Sequence, residues 1–75
     1  MTNFRIKETT DGKHEGLSIP LGQTLSTGDI TLELVIQLCK QLYGPLFVPV
    51  ELQKDGESIR ILNSNYSIIG ELEHG

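Results

Sequence analysis

Tryptophan is missing from this chain, and among its 75 residues there are only two Phe, two Tyr and one Cys. A single thiol closes no internal disulfide and builds no cysteine-based zinc site, so a reducing compartment, the cytoplasm, is the expected setting. Basic residues are also scarce. Six Lys and Arg stand against ten Asp and Glu, for a net charge of -4. Phosphate neutralisation supplies most non-specific nucleic-acid affinity, which makes nucleic acid an unpromising partner. Residues 1–7 lack the apolar stretch of a signal peptide, and no apolar run approaches the roughly 18 residues that cross a membrane. There is no Gly-rich phosphate loop, nucleophile elbow or HExxH motif. Neither His14 nor His74 has ligand spacing around it. These absences lead to the expectation of a protein that is not an enzyme and uses no metal and no cofactor.

What is present is a moderate apolar fraction, 37%, spread without low-complexity runs. That composition suits one small folded domain over residues 1–75. Its core is expected over about 3–69, with 70–75 set aside as a tail that need not be ordered. Phe4-Arg5-Ile6-Lys7 and Leu17-Ser18-Ile19-Pro20-Leu21 each alternate apolar with polar around Asp11-Gly12, a dipeptide that tolerates positive φ. A hairpin turning there sets Ile6 opposite Leu17 and Phe4 opposite Ile19. Val48-Pro49-Val50-Glu51-Leu52 and Ile59-Arg60-Ile61 flank Asp55-Gly56 in the same way, setting Leu52 against Ile59, Val50 against Ile61 and Glu51 against Arg60.

Between the hairpins, residues 30–45 have helical spacing. Ser26-Thr27-Gly28-Asp29 suits a capping box with Ser26 as N-cap, Gly44 suits the C-terminal cap, and Pro45 prevents continuation. Pro20 and Pro49 fall where their strands accept no outer neighbour, so the second and third strands are expected at the edges. The resulting expectation is an α+β fold of two hairpins flanking one helix (ββαββ). It has a four-stranded sheet in the order 2-1-4-3, strands 1 and 4 parallel neighbours, and the helix on one face, in the manner of β-grasp sheets. Tyr66-Ser67-Ile68-Ile69 adds either a short strand or a packed turn.

Ile30, Leu32, Leu34, Val35, Ile36, Leu38, Cys39, Leu42 and Tyr43 spread over roughly 240° of the helix, more than one sheet covers. Two explanations remain open. The chain's own Leu25, Leu46, Phe47, Tyr66, Ile68 and Ile69 wrap the surplus, or a second copy covers it through Leu34, Leu38, Tyr43 and Phe47 in a homodimer. Cys39, inside the apolar arc, reads as a buried inert thiol. The acids Glu71 and Glu73 read as solvated charge.

One cluster invites a functional reading. The register sends Arg5, Lys7 and Arg60 to the uncovered sheet face, where they would gather as a site for a phosphate, a nucleotide or an acidic partner surface. The plainer alternative is a solvated face on which Arg60 pairs with Glu51. Strand addition at an edge is disfavoured, because Pro20 and Pro49 blunt both edge strands.

The helix end "LVIQLCKQL", the strand "FVPVEL", the "KDG" turn and the closing "NYSII" resemble small uncharacterised proteins carried by Bacillus prophages, over a little more than half the chain. The resemblance implies a mobile-element accessory protein and brings no catalytic motif. The sheet order also suggests a ubiquitin-like carrier, but the chain lacks that family's terminal Gly-Gly. The expected function is a non-enzymatic interaction protein, phage or prophage encoded, that binds and inhibits a partner protein. The alternative is a binder of a small anionic metabolite or nucleotide.

Overall fold

The computed structural model describes residues 1–74. Five strands and one α-helix follow in the order β1 (Thr2–Thr9), β2 (Ser18–Pro20), a 3-10 turn (Thr27–Asp29), α1 (Leu32–Tyr43), β3 (Glu51–Asp55), β4 (Ser58–Leu62) and β5 (Ser67–His74). All strands join one antiparallel sheet in the order β2-β1-β5-β4-β3. The α+β class holds, but the four-stranded expectation does not. Residues 67–74 form the central strand, although 70–75 are expected as a tail. β5 lies between β1 and β4, so these two are not parallel neighbours. β2 and β3 lie at the edges as expected; Pro20 lies within β2, whereas Pro49 lies outside β3.

The core explains why β5 belongs in the middle. Ile68, Gly70 and Leu72 alternate inward, opposite Thr9, Ile6 and Phe4 of β1 and, through Ile68 and Gly70, Ile61 and Ile59 of β4. With Ile30, Val35, Leu38 and Cys39 from the helical side they form one buried cluster. In β1 strict alternation would turn Glu8 inward. A bulge at Lys7 prevents this, because pairing passes from Ile6–Gly70 directly to Glu8–Ile69, and Thr9 is buried instead.

Phe4 faces Ile19 as the sequence implies, and the Ile6 N–H donates to the Leu17 carbonyl at 2.9 Å. Beyond that the first hairpin opens into a longer loop in which Gly12, His14 and Gly16 all have positive φ. Asp11 braces it by accepting hydrogen bonds from the Lys13 N–H and the Thr9 hydroxyl. In the second hairpin the paired residues are Leu52–Ile61, Gln53–Arg60, Lys54–Ile59 and Asp55–Ser58. The expected register is therefore displaced by two, and Glu51 meets Leu62 rather than Arg60. The cause is the turn. Its two loop residues are Gly56 and Glu57, with positive φ at Gly56 (62°) and not at Glu57, the pattern that needs Gly first. A displacement of two leaves the side chains of β3 and β4 on their expected faces.

The helix start also differs from expectation. Ser26 caps the 3-10 turn, where the Asp29 carboxylate accepts from the Ser26 N–H at 2.8 Å. Thr31 caps α1 by accepting from the Leu34 N–H, and Gly44 ends it at φ 99° with its N–H on the Lys40 carbonyl.

Candidate functional site

Arg5, Lys7 and Arg60 share the uncovered face of the sheet, but they do not form one basic site. β5 separates β1 from β4, and the acids once read as solvated tail charge stand between them. Glu71 pairs with Lys7 at 2.8 Å and Glu73 with Arg5 at 3.6 Å. Glu73 also accepts the Ser18 hydroxyl at 2.5 Å, linking β2 to β5 across β1. Two of the three cations are thus neutralised within the sheet. Such half-exposed pairs contribute little stability but fix which charges remain on offer.

Arg60 differs from the other two. Its guanidinium has no ion pair or hydrogen bond among the described residues. It borders a depression of about 260 Å³ lined by Gln53, Asp55, Ser58, Arg60 and Ile69. That volume lies just below the range of small-molecule pockets. The lining offers one cation, one carboxylate and two neutral polar groups over an apolar floor at Ile69.

Of the four residues expected at a homodimer interface, Leu38 is buried in the core, and Leu34, Tyr43 and Phe47 pack against it. Part of the surplus apolar arc of α1 is met from within the chain. Phe47 stacks on Tyr43 with ring centres 4.8 Å apart, Tyr66 stands edge-on to both, and His14 closes on Tyr43 at 4.9 Å. Leu25 and Tyr66 also pack against the core, as expected. Leu46 and Ile69 do not wrap the helix. Leu46 is 96% exposed, and Ile69 floors the depression on the opposite face.

This aromatic cluster carries a polar chain. The Tyr66 hydroxyl donates to Asp11 Oδ1 at 2.5 Å and lies 2.9 Å from the Tyr43 hydroxyl. That donation, with help from the Lys13 N–H and Thr9, holds the Asp11 carboxyl below its ordinary value of 3.8. Burial first, and then the Asp11 bond, pushes Tyr66 above 10.0; burial likewise raises Tyr43. The consequences for stability have opposite signs. Asp11 is depressed in the folded state, so its contribution is present above the ordinary carboxylate value and lost as pH falls through the folded one. Tyr66 is raised, so its contribution is present below its ordinary value and lost as pH climbs toward the folded one. Tyr66→Phe is expected to flatten both the acid and the alkaline limbs of melting temperature against pH, measured by circular dichroism from about pH 2 to about pH 11.

Between α1 and β3 the chain exposes apolar side chains in alternation. Phe47 and Pro49 turn inward, whereas Leu46, Val48 and Val50 are exposed. A turn closed by the Phe47 N–H on the Gly44 carbonyl, with Pro45 inside it, places Leu46 at its tip. The Val50 N–H bonds the Leu62 carbonyl at 2.8 Å, so Val50 and Glu51 both oppose Leu62 in a bulge. Val50 is therefore not the inward partner of Ile61 that the sequence suggested. The alternation of the sequence, which sets Val50 against Ile61, does not mark this row as a surface.

Burial pushes the Cys39 thiol up to about 11, which keeps it un-ionised at neutral pH. Among the described residues no group of three or more His, Cys, Asp and Glu is placed to hold a metal ion. No helix among them is long and apolar enough to cross a membrane. Comparison with protein-family models, curated proteins and solved structures finds no match.

Proposed function

We propose that the chain is a non-enzymatic, cytoplasmic interaction protein that binds and inhibits a partner protein, in keeping with the prophage resemblance. The observation that supports this reading is the exposed row Leu46, Val48 and Val50. Phe47 and Pro49 anchor it from beneath, so its side chains are presented without the ordering cost of a loose loop. Small soluble domains gain nothing for their own fold from leaving three neighbouring branched side chains in water.

The test is affinity capture of partners with the wild-type chain and with a Leu46→Asp, Val48→Asp double variant. Both positions are exposed, so folding stability should change by no more than about 0.5 kcal/mol at each. A partner held by this row is expected to bind the variant at least tenfold more weakly by calorimetry, whereas undiminished binding would remove the row from the interface. A second reading has Arg60 in its favour: binding of a small anion in the depression beside it. It predicts thermal stabilisation by a carboxylate or phosphate ligand that Arg60→Ala removes.

A further inference from the structure

We infer that the outer edge of β3 accepts an extended segment of a partner protein in which apolar residues alternate with Arg or Lys. This deepens the interaction reading above and rests on it. β3 ends the sheet, with β4 on one side and no strand on the other. The expectation that a proline blunts this edge does not hold for the strand that forms, because Pro49 lies outside Glu51–Asp55. In a hairpin with a two-residue loop, backbone groups of alternate residues point toward the partner strand and away from it. Asp55, Gln53 and Glu51 face β4. Leu52 and Lys54 therefore turn their N–H and C=O groups outward.

The side chains specify which segment fits. On the uncovered face β3 displays Glu51, Gln53 and Asp55; on the helix side it displays the half-buried Leu52 and the exposed Lys54. The same arrangement already has a partner elsewhere in the sheet. β5 carries Glu71 and Glu73 on the uncovered face and Gly70 and Leu72 on the other. Beside it lies β1, with Arg5 and Lys7 on the uncovered face and Phe4 and Ile6 beneath, joined by the ion pairs at 3.6 and 2.8 Å. A segment built like β1 would meet Glu51 and Asp55 with its cations, and Leu52 and the aliphatic stem of Lys54 with its apolar residues. A second copy of β3 fits less well. Pairing its outward groups fully sets Leu52 opposite Lys54, which brings Glu51 against Asp55 in both halves.

The test uses the full chain, labelled with nitrogen-15, and a capped heptapeptide alternating Val with Arg and Lys. A peptide alternating Val with Glu is the control. The basic peptide is expected to shift the Leu52 and Lys54 amide signals and to bind at least tenfold more tightly than the acidic one. Lys54→Pro removes an outward N–H that the sheet does not use and should abolish binding. Should that variant prove unfolded by circular dichroism, Glu51→Lys with Asp55→Lys leaves the backbone intact and should reverse the order of the two peptides. Undisturbed Leu52 and Lys54 signals at millimolar basic peptide, equal binding of both peptides, or an unreversed order would overturn the inference. If the edge fails in this way while Leu46→Asp, Val48→Asp still abolishes partner capture, the interaction reading stands without it.

Discussion

Gly70→Ala is expected to cost the fold about 3 kcal/mol or more, at the upper end of overpacking effects. A Cβ at this position would lie 2.4 Å from Phe4 Cζ, 2.8 Å from Phe4 Cε1 and 2.7 Å from the Arg5 carbonyl oxygen. Moving the ring alone does not relieve it. Phe4 is 3% exposed and held in the core, and the Arg5 carbonyl belongs to β1, which is paired on both sides. The glycine is there because the Phe4 ring occupies the space a side chain would take. Domains of this size are stabilised by only about 4–11 kcal/mol, so the loss is a large share of the total. Urea denaturation should show a lower midpoint with an unchanged slope. Gly28→Ala is the control, since its Cβ would meet nothing closer than Ser26 Oγ at 3.7 Å. A Phe4→Leu, Gly70→Ala double variant should recover part of the loss but not all of it, because the Arg5 oxygen remains.

Ending the chain after Ile69 is expected to abolish cooperative folding altogether. The cut removes Gly70 and Leu72 from the core and leaves Phe4 and Ile6 of β1 and Ile59 of β4 without their central neighbour. What is left is two hairpins joined by a helix, and isolated two-stranded ribbons are marginal in water. The Lys7–Glu71 and Arg5–Glu73 pairs go as well. The check is the dispersion of amide signals together with the loss of a thermal transition. Removing only His74 and Gly75 provides the contrast, because it gives up no buried apolar side chain. It should cost little beyond the Thr2–His74 end of the ladder.

The sequence made the edges of the sheet legible and its centre illegible, for physical reasons that differ by residue. A residue without an N–H serves poorly in a strand paired on both sides, and Pro20 accordingly lies in the edge strand β2; β3 is also an edge, but Pro49 lies outside it and does not explain its place. The first hairpin's register followed from Phe4 and Ile19, whose alternation leaves only one side for the core. In the second hairpin, D-G was read as the whole loop, whereas the backbone uses Gly56 at the first loop position. That shift leaves the side chains of β3 and β4 on their expected faces but changes every expected cross-strand partner, Leu52–Ile59, Val50–Ile61 and Glu51–Arg60 alike. Only the start of β5 is legible, as the short strand offered as one alternative at residues 66–69; its extent is hidden because Gly70 interrupts the apolar alternation of Ile68 and Leu72, and because Glu71 and Glu73 look solvated until Arg5 and Lys7 are set beside them. The candidate basic site failed for the same reason: its three cations do share a face, and the strand between them supplies two of the counter-charges. Helical spacing leaves open whether the chain's own Phe47 and Tyr66 or a second copy meets the surplus arc, and it does not distinguish the core residue Leu38 from the partly buried Leu34 and Tyr43.

The pairing of Thr2 with His74 and of Phe4 with Leu72 also bears on how the molecule is made. Contacts this distant along the chain carry a large loop-closure entropy and slow the search for the native arrangement. During synthesis, β1 through β4 emerge with a gap where the middle of the sheet belongs. The oily surfaces of Ile6 and Ile59 stay uncovered until residues 67–74 have left the ribosome. A pause in translation ahead of Ser67 would prolong that interval and favour aggregation.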